Sequence, residues 1–532
     1  MRKICKILMF LPLSLGSAAL LASCDKKEDV RVLRVLNCED YIYEYEEGDE
    51  EEMEPPTEEN WFKMDVMDQF VEYWKKTYNE DIEYVYDTFD TNETMFNELQ
   101  TGKTTYDVIV PSDYMIQKLI SNDMLHKISD KNKEGIWENI SPYLIDKFNN
   151  IEAVDTKQNS HKISEFSVPY MWGTVGMMYN PSYYVEASGG ALSEDDVHDL
   201  FMDWDSLYSN EYIKGTFSIK DSVRDTYAVS LIHAYRDEIS NVTDTTKLEE
   251  IFNRNGVDEM AFVKEDMLKL KESAFGFECD SGKTDMVDGK VGANMCWSGD
   301  ATWAITEAGD GENPKDLYYA IPTSYNGEDN KGASNIWFDG LCIPRNTDHE
   351  DNLSEEEIAQ YDLAEEFLKF MSTPEIAVQN CYCVGYTPGV AGDAMLDYMI
   401  DCYDLGEEDY SELVEGEDYV KYNLTYFYAG SVSDDYYDDN DQIIIYADPA
   451  TAKKELAAQY PEESILDRLA VMKDFGKEGN ARLLDMWEQV RTNALPLWAI
   501  IVFAVEGVAA IAFVTYLLTR RVHRKKDKKL RS

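Results

Sequence analysis

Apolar residues alternate with polar ones in a regular order along the front of the chain. Val32-Leu33-Arg34-Val35-Leu36 reads as a strand, and Met67, Phe70, Val71 and Trp74 recur at helical spacing. Ile82 to Tyr86 reads as a second strand, Asn92 opens a short helix through Met95 and Leu99, and Tyr106 to Val110 reads as a third strand ended by Pro111-Ser112. Such β-α-β-α-β alternation predicts a parallel sheet covered by helices. Ligands of parallel sheets sit at the carboxyl ends of the strands, here near residues 37–41 and 112–114. Leu363, Phe367, Phe370 and Met371 predict a later amphipathic helix, and Leu483, Met486, Trp487 and Val490 another. The acidic, tyrosine-rich stretch 391–460 has no clear period, and Asp434-Asp435-Tyr436-Tyr437-Asp438-Asp439 within it reads as a solvated loop. An acidic loop is expected over 44–59.

The two ends differ from this body. Residues 1–24 run from a basic start through an apolar stretch to Leu21-Ala22-Ser23-Cys24, a secretory-signal layout similar to a bacterial lipobox, with Cys24 as the lipidated residue. Leu495 to Leu518 is a 24-residue apolar run whose only charge is Glu506, long enough to cross a bilayer. Eight Lys/Arg follow in residues 519–532, so the positive-inside rule puts this tail in the cytoplasm and the body outside. A charged Glu506 is costly inside a membrane unless protonated or paired, for which a membrane partner is one source.

Charge then narrows the function. Of 532 residues, 38 Lys/Arg face 103 Asp/Glu between residues 25 and 518, a net of −65, which excludes a nucleic-acid surface. With 44% hydrophobic and 12% aromatic residues the body is still globular. Seven cysteines remain after Cys5 and Cys24, with no CxxC pair, so no disulfide framework is expected. Gly102-Lys103-Thr104 lacks the earlier glycine of a phosphate loop, and HExxH, GxSxG and zinc spacings are missing. The histidines are scattered singly. Neither an enzyme nor a cofactor site is expected, and no metal site either.

What recurs is an aromatic residue beside an acid just past a strand: Asn37-Cys38-Glu39-Asp40-Tyr41, Pro111-Ser112-Asp113-Tyr114, Trp297-Ser298-Gly299-Asp300 and Trp337-Phe338-Asp339. Rings hold methylenes and ammonium groups, each cation–π contact contributing about 0.5–2 kcal/mol, and carboxylates fix the ammonium ends. That chemistry suits an organic polycation.

At these segments the chain resembles the polyamine (spermidine/putrescine) substrate-binding proteins of ABC transporters, from about residue 32 to 493. Further matching motifs are Phe89-Asp90-Thr91-Asn92-Glu93, Tyr106 to Tyr114, Val168-Pro169-Tyr170-Met171-Trp172-Gly173, Ile343-Pro344 and Gly385-Tyr386-Thr387-Pro388. The resemblance implies an α/β, two-lobed periplasmic-binding-protein (type II) fold, to which the C-terminal transmembrane helix is added. Lobe one would comprise 31–173 and 295–344, and lobe two 174–294 and 345–493. Tyr41, Ser112, Tyr114, Trp297, Trp337 and Tyr386 would line the cleft, while Asp40, Asp225, Asp300 and Asp339 would meet ammonium groups. The implied partners are a polyamine, an ABC permease and the membrane. Cys38 and Ser222 depart from the family pattern, where a tryptophan and, in some members, a second carboxylate stand. A membrane-anchored polyamine sensor or scaffold on the same fold is the alternative.

Overall fold

The computed structural model describes residues 30–45, 63–279, 281–311, 313–325, 331–347, 352–406, 410 and 412–492. Cys24, most of the acidic 44–59 loop, the apolar run 495–518 and the basic tail lie outside them. Among the described residues no helix is long and apolar enough to cross a membrane.

The opening alternation folds as its pattern predicts. Strand β1 (Arg31–Cys38) pairs in parallel with β2 (Ile82–Phe89) and β3 (Val108–Ile109). Helix α1 (Val66–Tyr78) buries Val66, Met67, Phe70 and Trp74, carries Asp68 in its first turn and Lys75 and Lys76 in its last, and stops at a left-handed Asn79. Helix α2 (Asn92–Thr101) is capped by Thr91, whose side chain accepts from the Thr94 amide. Helix α3 (Asp113–Ser121) follows β3 directly, so Ser112 stands at a strand's carboxyl end.

Two long, wholly buried strands carry the chain between halves: β4 (Ser167–Tyr179), and further on Ser334–Pro344. In the second half β5 (Phe217–Lys220) leads into α4 (Val223–Ala234), and β6 (Gly276–Glu278) and β7 (Ala293–Trp297) flank β5 in parallel. Helix α5 (Ser298–Asp310) and β8 (Tyr318–Ala320) come next, then β9 (Ser334–Pro344). The sheet order is β2-β1-β3-β9-β4-β7-β5-β6. The first half of β4 pairs with β9, and its last residues pair with β7 and β8. Each lobe thus has its own parallel core, joined through two antiparallel strands.

The lobe boundaries need correction. Residues 345–493 were expected to belong to lobe two. Instead α6 (Glu355–Met371) and α7 (Pro374–Val384) pack on the first lobe: Phe367 meets Phe70 at 5.0 Å, Tyr73 Oη donates to Glu366 Oε1 at 2.5 Å, and Gln69 Nε2 donates to Gln379 Oε1 at 2.9 Å. An amphipathic helix shows that it has a buried face without showing which sheet will cover it. Residues 295–297, expected in lobe one, complete β7 and pair with Val175–Met177 in the second half. Helix α5 packs there too, against β7 and β8.

The stretch 391–460 holds more than loop: helix Asp393–Tyr403 and an antiparallel pair, Val420–Asn423 with Ile444–Ala447. The Asp434–Tyr436 turn inside it stays at the surface, where Tyr436 Oη donates to Asp397 Oδ1 at 2.6 Å. Among the described residues Cys296, Cys342, Cys381 and Cys402 are free thiols. The chain divides after Asn480, and helix Gly476–Arg491, predicted from its apolar spacing, runs to the end of the described residues.

Candidate functional site: an aromatic and carboxylate cleft

Strand β9 puts Trp337 and Asp339 two residues apart, on one face of the pleat. Trp337 lies opposite Gly173, where a Cβ would come within 2.6 Å of its ring, so only glycine leaves room for the indole. Tyr386 follows the left-handed Gly385 that ends α7, and its ring occupies the space a Cβ on Gly299 would need. Tyr41 leaves the turn after β1. Its ring meets Tyr386 edge-on at 5.2 Å and Tyr170 at 5.4 Å, and Trp337 packs on Tyr386 at 5.7 Å.

Asp339 stands among these rings, only 7% exposed, with Tyr41 Oη donating to Oδ2 at 2.8 Å. Its Oδ1 is buried without a hydrogen-bond partner. Burial pushes its carboxyl up to about 6, against the hydroxyls beside it and with a further push from the charge of Asp225. A buried acceptor left unmade costs free energy that an arriving donor recovers. Ser112 sits alongside, bridged through its backbone to Asp339 and fixed by Asn92, whose Nδ2 donates to Ser112 Oγ at 2.9 Å. Tyr114 donates to Glu93 Oε1 at 3.2 Å and lies under the Arg224 guanidinium, 4.6 Å from its ring centre.

The second lobe supplies Asp225 from the first turn of α4, where Ser222 is the N-cap. Burial raises the Asp225 carboxyl, while the Ser222 hydroxyl and the Trp297 indole N–H bond to it and oppose the rise. Trp297 ends β7, and Asp300 lies on the first turn of α5. Asp300 accepts from Tyr386 Oη at 2.9 Å and from Lys220 Nζ at 2.9 Å. Burial works against its charge, but Lys220 and then Lys283 overcome it and hold the carboxyl below its ordinary value.

The contacts and charge interactions above bring nine of the ten expected site residues together, with Asp40 the exception. Its side chain is 82% exposed, 3.9 Å from Lys283 Nζ, because the backbone turns left-handed there at φ 52° and points it outward. Three further residues belong here: Asp113, named with its segment but given no role of its own, and Lys220 and Arg224, which sequence reasoning missed. Asp113 is 1% exposed, accepts the Phe338 amide at 3.2 Å through Oδ2, and leaves Oδ1 unpartnered. Arg224 stacks on Tyr114 and Phe475. Lys220 is 2% exposed at the end of β5. Only the short spacing to Asp221 and Asp225 could have pointed to Lys220 and Arg224.

Among the described residues no histidine lies among these groups. His233 sits between Asp205 and Asp266, and His161 between Asp155 and Glu165, as hydrogen-bonded structural residues. Among the described residues no cluster of His, Cys, Asp and Glu could hold a metal ion. The cleft offers ring faces and carboxylates, groups complementary to an organic cation.

A family profile for bacterial extracellular solute-binding proteins matches residues 68–392. The chain belongs to this family. Among relatives in this solute-binding family, the putrescine-binding periplasmic protein SpuD of Pseudomonas aeruginosa is 26% identical over 62% of this chain and 77% of its own length. The spermidine/putrescine-binding periplasmic protein of Escherichia coli is 26% identical over 59% of this chain and 73% of its own. Two solved structures share the fold. The spermidine/putrescine ABC transporter substrate-binding protein PotD of Streptococcus pneumoniae is 23% identical, with a TM-score of 0.50 over 87% of this chain and 98% of that one. A spermidine/putrescine ABC transporter from Listeria monocytogenes is 19% identical, with a TM-score of 0.53 over 87% and 99%. These relatives are named as polyamine-binding or ABC-transporter proteins. The expected two-lobed periplasmic-binding-protein fold is the fold observed.

Proposed function

We propose that the chain is the extracytoplasmic substrate-binding component of a polyamine ABC transporter, capturing a putrescine- or spermidine-like cation between its lobes and delivering it to the permease. The observation that carries this reading is Asp339, a buried carboxylate with one unpartnered oxygen inside the box of Tyr41, Trp337 and Tyr386. A polyamine's ammonium group donates to that oxygen while its methylenes lie on the rings. Asp225, Trp297 and Asp300 complete the cleft from the other lobe, and Ser112 and Tyr114 set its floor beside Arg224. Bending of β4 and β9, the two strands common to both lobes, opens and closes it. A lipid on Cys24 and a membrane helix over 495–518 would hold the acidic body beside its permease, raising its effective concentration there.

Calorimetric titration of the full-length protein with putrescine, spermidine, spermine and cadaverine tests this. Micromolar or tighter binding of at least one, weakened about 10–100-fold in Asp339→Asn, is the expected result. A folded protein that takes up none of the four contradicts the reading.

A further inference from the structure

The second-lobe half of the cleft already contains an ammonium group, and it belongs to the protein. Lys220 Nζ lies 2.9 Å from Asp300 Oδ2 and 3.5 Å from Glu278 Oε1, and donates to the Cys279 carbonyl at 2.7 Å. It also stands 4.4 Å from the centre of the Trp297 ring. A carboxylate pair, a carbonyl and an indole face are the groups an organic ammonium ion requires, and here one side chain satisfies them. The lysine side chain is itself a butylammonium, a four-carbon diamine lacking one ammonium group. It is 2% exposed, so solvent does not compete for it.

What remains open is different in kind. Asp339 keeps its unpartnered Oδ1. Asp225 receives the Ser222 hydroxyl and the Trp297 indole, feels the charges of Lys220 and Arg224 without an ion-pair contact to either, and is near enough to Asp339 for its charge to act there. Among the described residues Asp113, whose Oδ1 is also unpartnered, Asp225 and Asp339 therefore have no ion-pair partner within 4 Å, while Asp300 and Glu278 have Lys220.

We infer that Lys220 is a tethered occupant of one ammonium site and the residue that sets specificity, so that the cleft takes a diamine in preference to a triamine. This rests on the polyamine reading and adds the ligand's charge count to it. A third ammonium would meet Lys220 where it needed Asp300, and like charges in a dry site repel strongly.

Titration of the full-length protein with putrescine and spermidine, in wild type, Lys220→Ala and Lys220→Ala/Glu278→Gln, tests the inference. The double variant removes the second buried charge, so that folding, followed by circular dichroism, is kept. Wild type is expected to bind putrescine at least tenfold more tightly than spermidine, and either variant to shift that ratio at least tenfold toward spermidine. Wild type binding spermidine as tightly as putrescine overturns the inference and leaves the polyamine reading standing. So does a folded variant whose ratio is unchanged. Should neither variant fold, the wild-type ratio alone decides. Binding neither amine overturns both.

Discussion

Asp300, on the first turn of α5, and Asp339, in the middle of β9, are equally buried at 7% exposure, yet their surroundings drive them in opposite directions. Asp300 has Lys220 at 2.9 Å and stays charged below its ordinary range. Asp339 has neutral hydroxyls beside it, Tyr41 at 2.8 Å and Ser112, but no cation among the described residues and an unpartnered Oδ1, and burial lifts it to about 6. The difference separates a carboxylate whose partner is built into the fold from one whose partner must arrive. The first contributes to the stability of the closed cleft, and the second holds capacity for a ligand.

Breaking the built-in pair has the largest expected effect. Asp300→Asn leaves Lys220 buried with a weakened set of partners, and denaturant unfolding is expected to show a loss of about 3–5 kcal/mol. Asp339→Asn runs the other way. It relieves a buried carboxylate, so the ligand-free protein gains up to about 3 kcal/mol at pH 7.5, while polyamine affinity falls about 10–100-fold in calorimetry. A common sign for the two stability changes would erase the distinction.

Their pH dependences sharpen it further. The folded value of Asp339 exceeds its unfolded value of about 4, so its contribution to stability is full below pH 4 and is lost as pH rises through about 6. Asp300, depressed in the folded state, contributes above the unfolded value and loses that contribution as pH falls through its own lowered value. Affinity for a diamine follows Asp339, since the ammonium needs the ionised carboxylate. It is expected to fall about tenfold between pH 7 and pH 5 in wild type and to stay flat in Asp339→Asn. The smallest effect belongs to Tyr386→Phe, which removes the 2.9 Å hydrogen bond to Asp300 but leaves Lys220 in place. Thermal unfolding should register about 0.5–1.5 kcal/mol.

How far the sequence foretold this differs between the same two carboxylates. The period of Phe70 and Trp74 and the apolar runs around Leu33 and Val108 suffice for the parallel core, because burial of one face is a local property of the pattern. Asp339, Trp337 and Tyr41 were legible as an acid and rings past strand ends, and Tyr386 came from the resemblance alone. Lys220 was not. A lysine closing Phe217-Ser218-Ile219 reads as a strand end meeting water, and its partners Glu278 and Asp300 are remote in sequence. The packing of α6 on the first lobe was hidden for a related reason, since the ring that receives Phe367 is Phe70, far earlier in the chain. Asp40 was misread because a left-handed backbone at φ 52° turns it outward, and no residue pattern announces that turn.

The central claim is that a polyamine ammonium group binds the ionised form of Asp339. The most direct test is the proton released on putrescine binding at pH 6, measured by calorimetry of the full-length protein in buffers of different ionisation enthalpy. With Asp339 half protonated near pH 6, the account predicts release of about half a proton per ligand bound, absent in Asp339→Asn. Binding without proton release in wild type would contradict it.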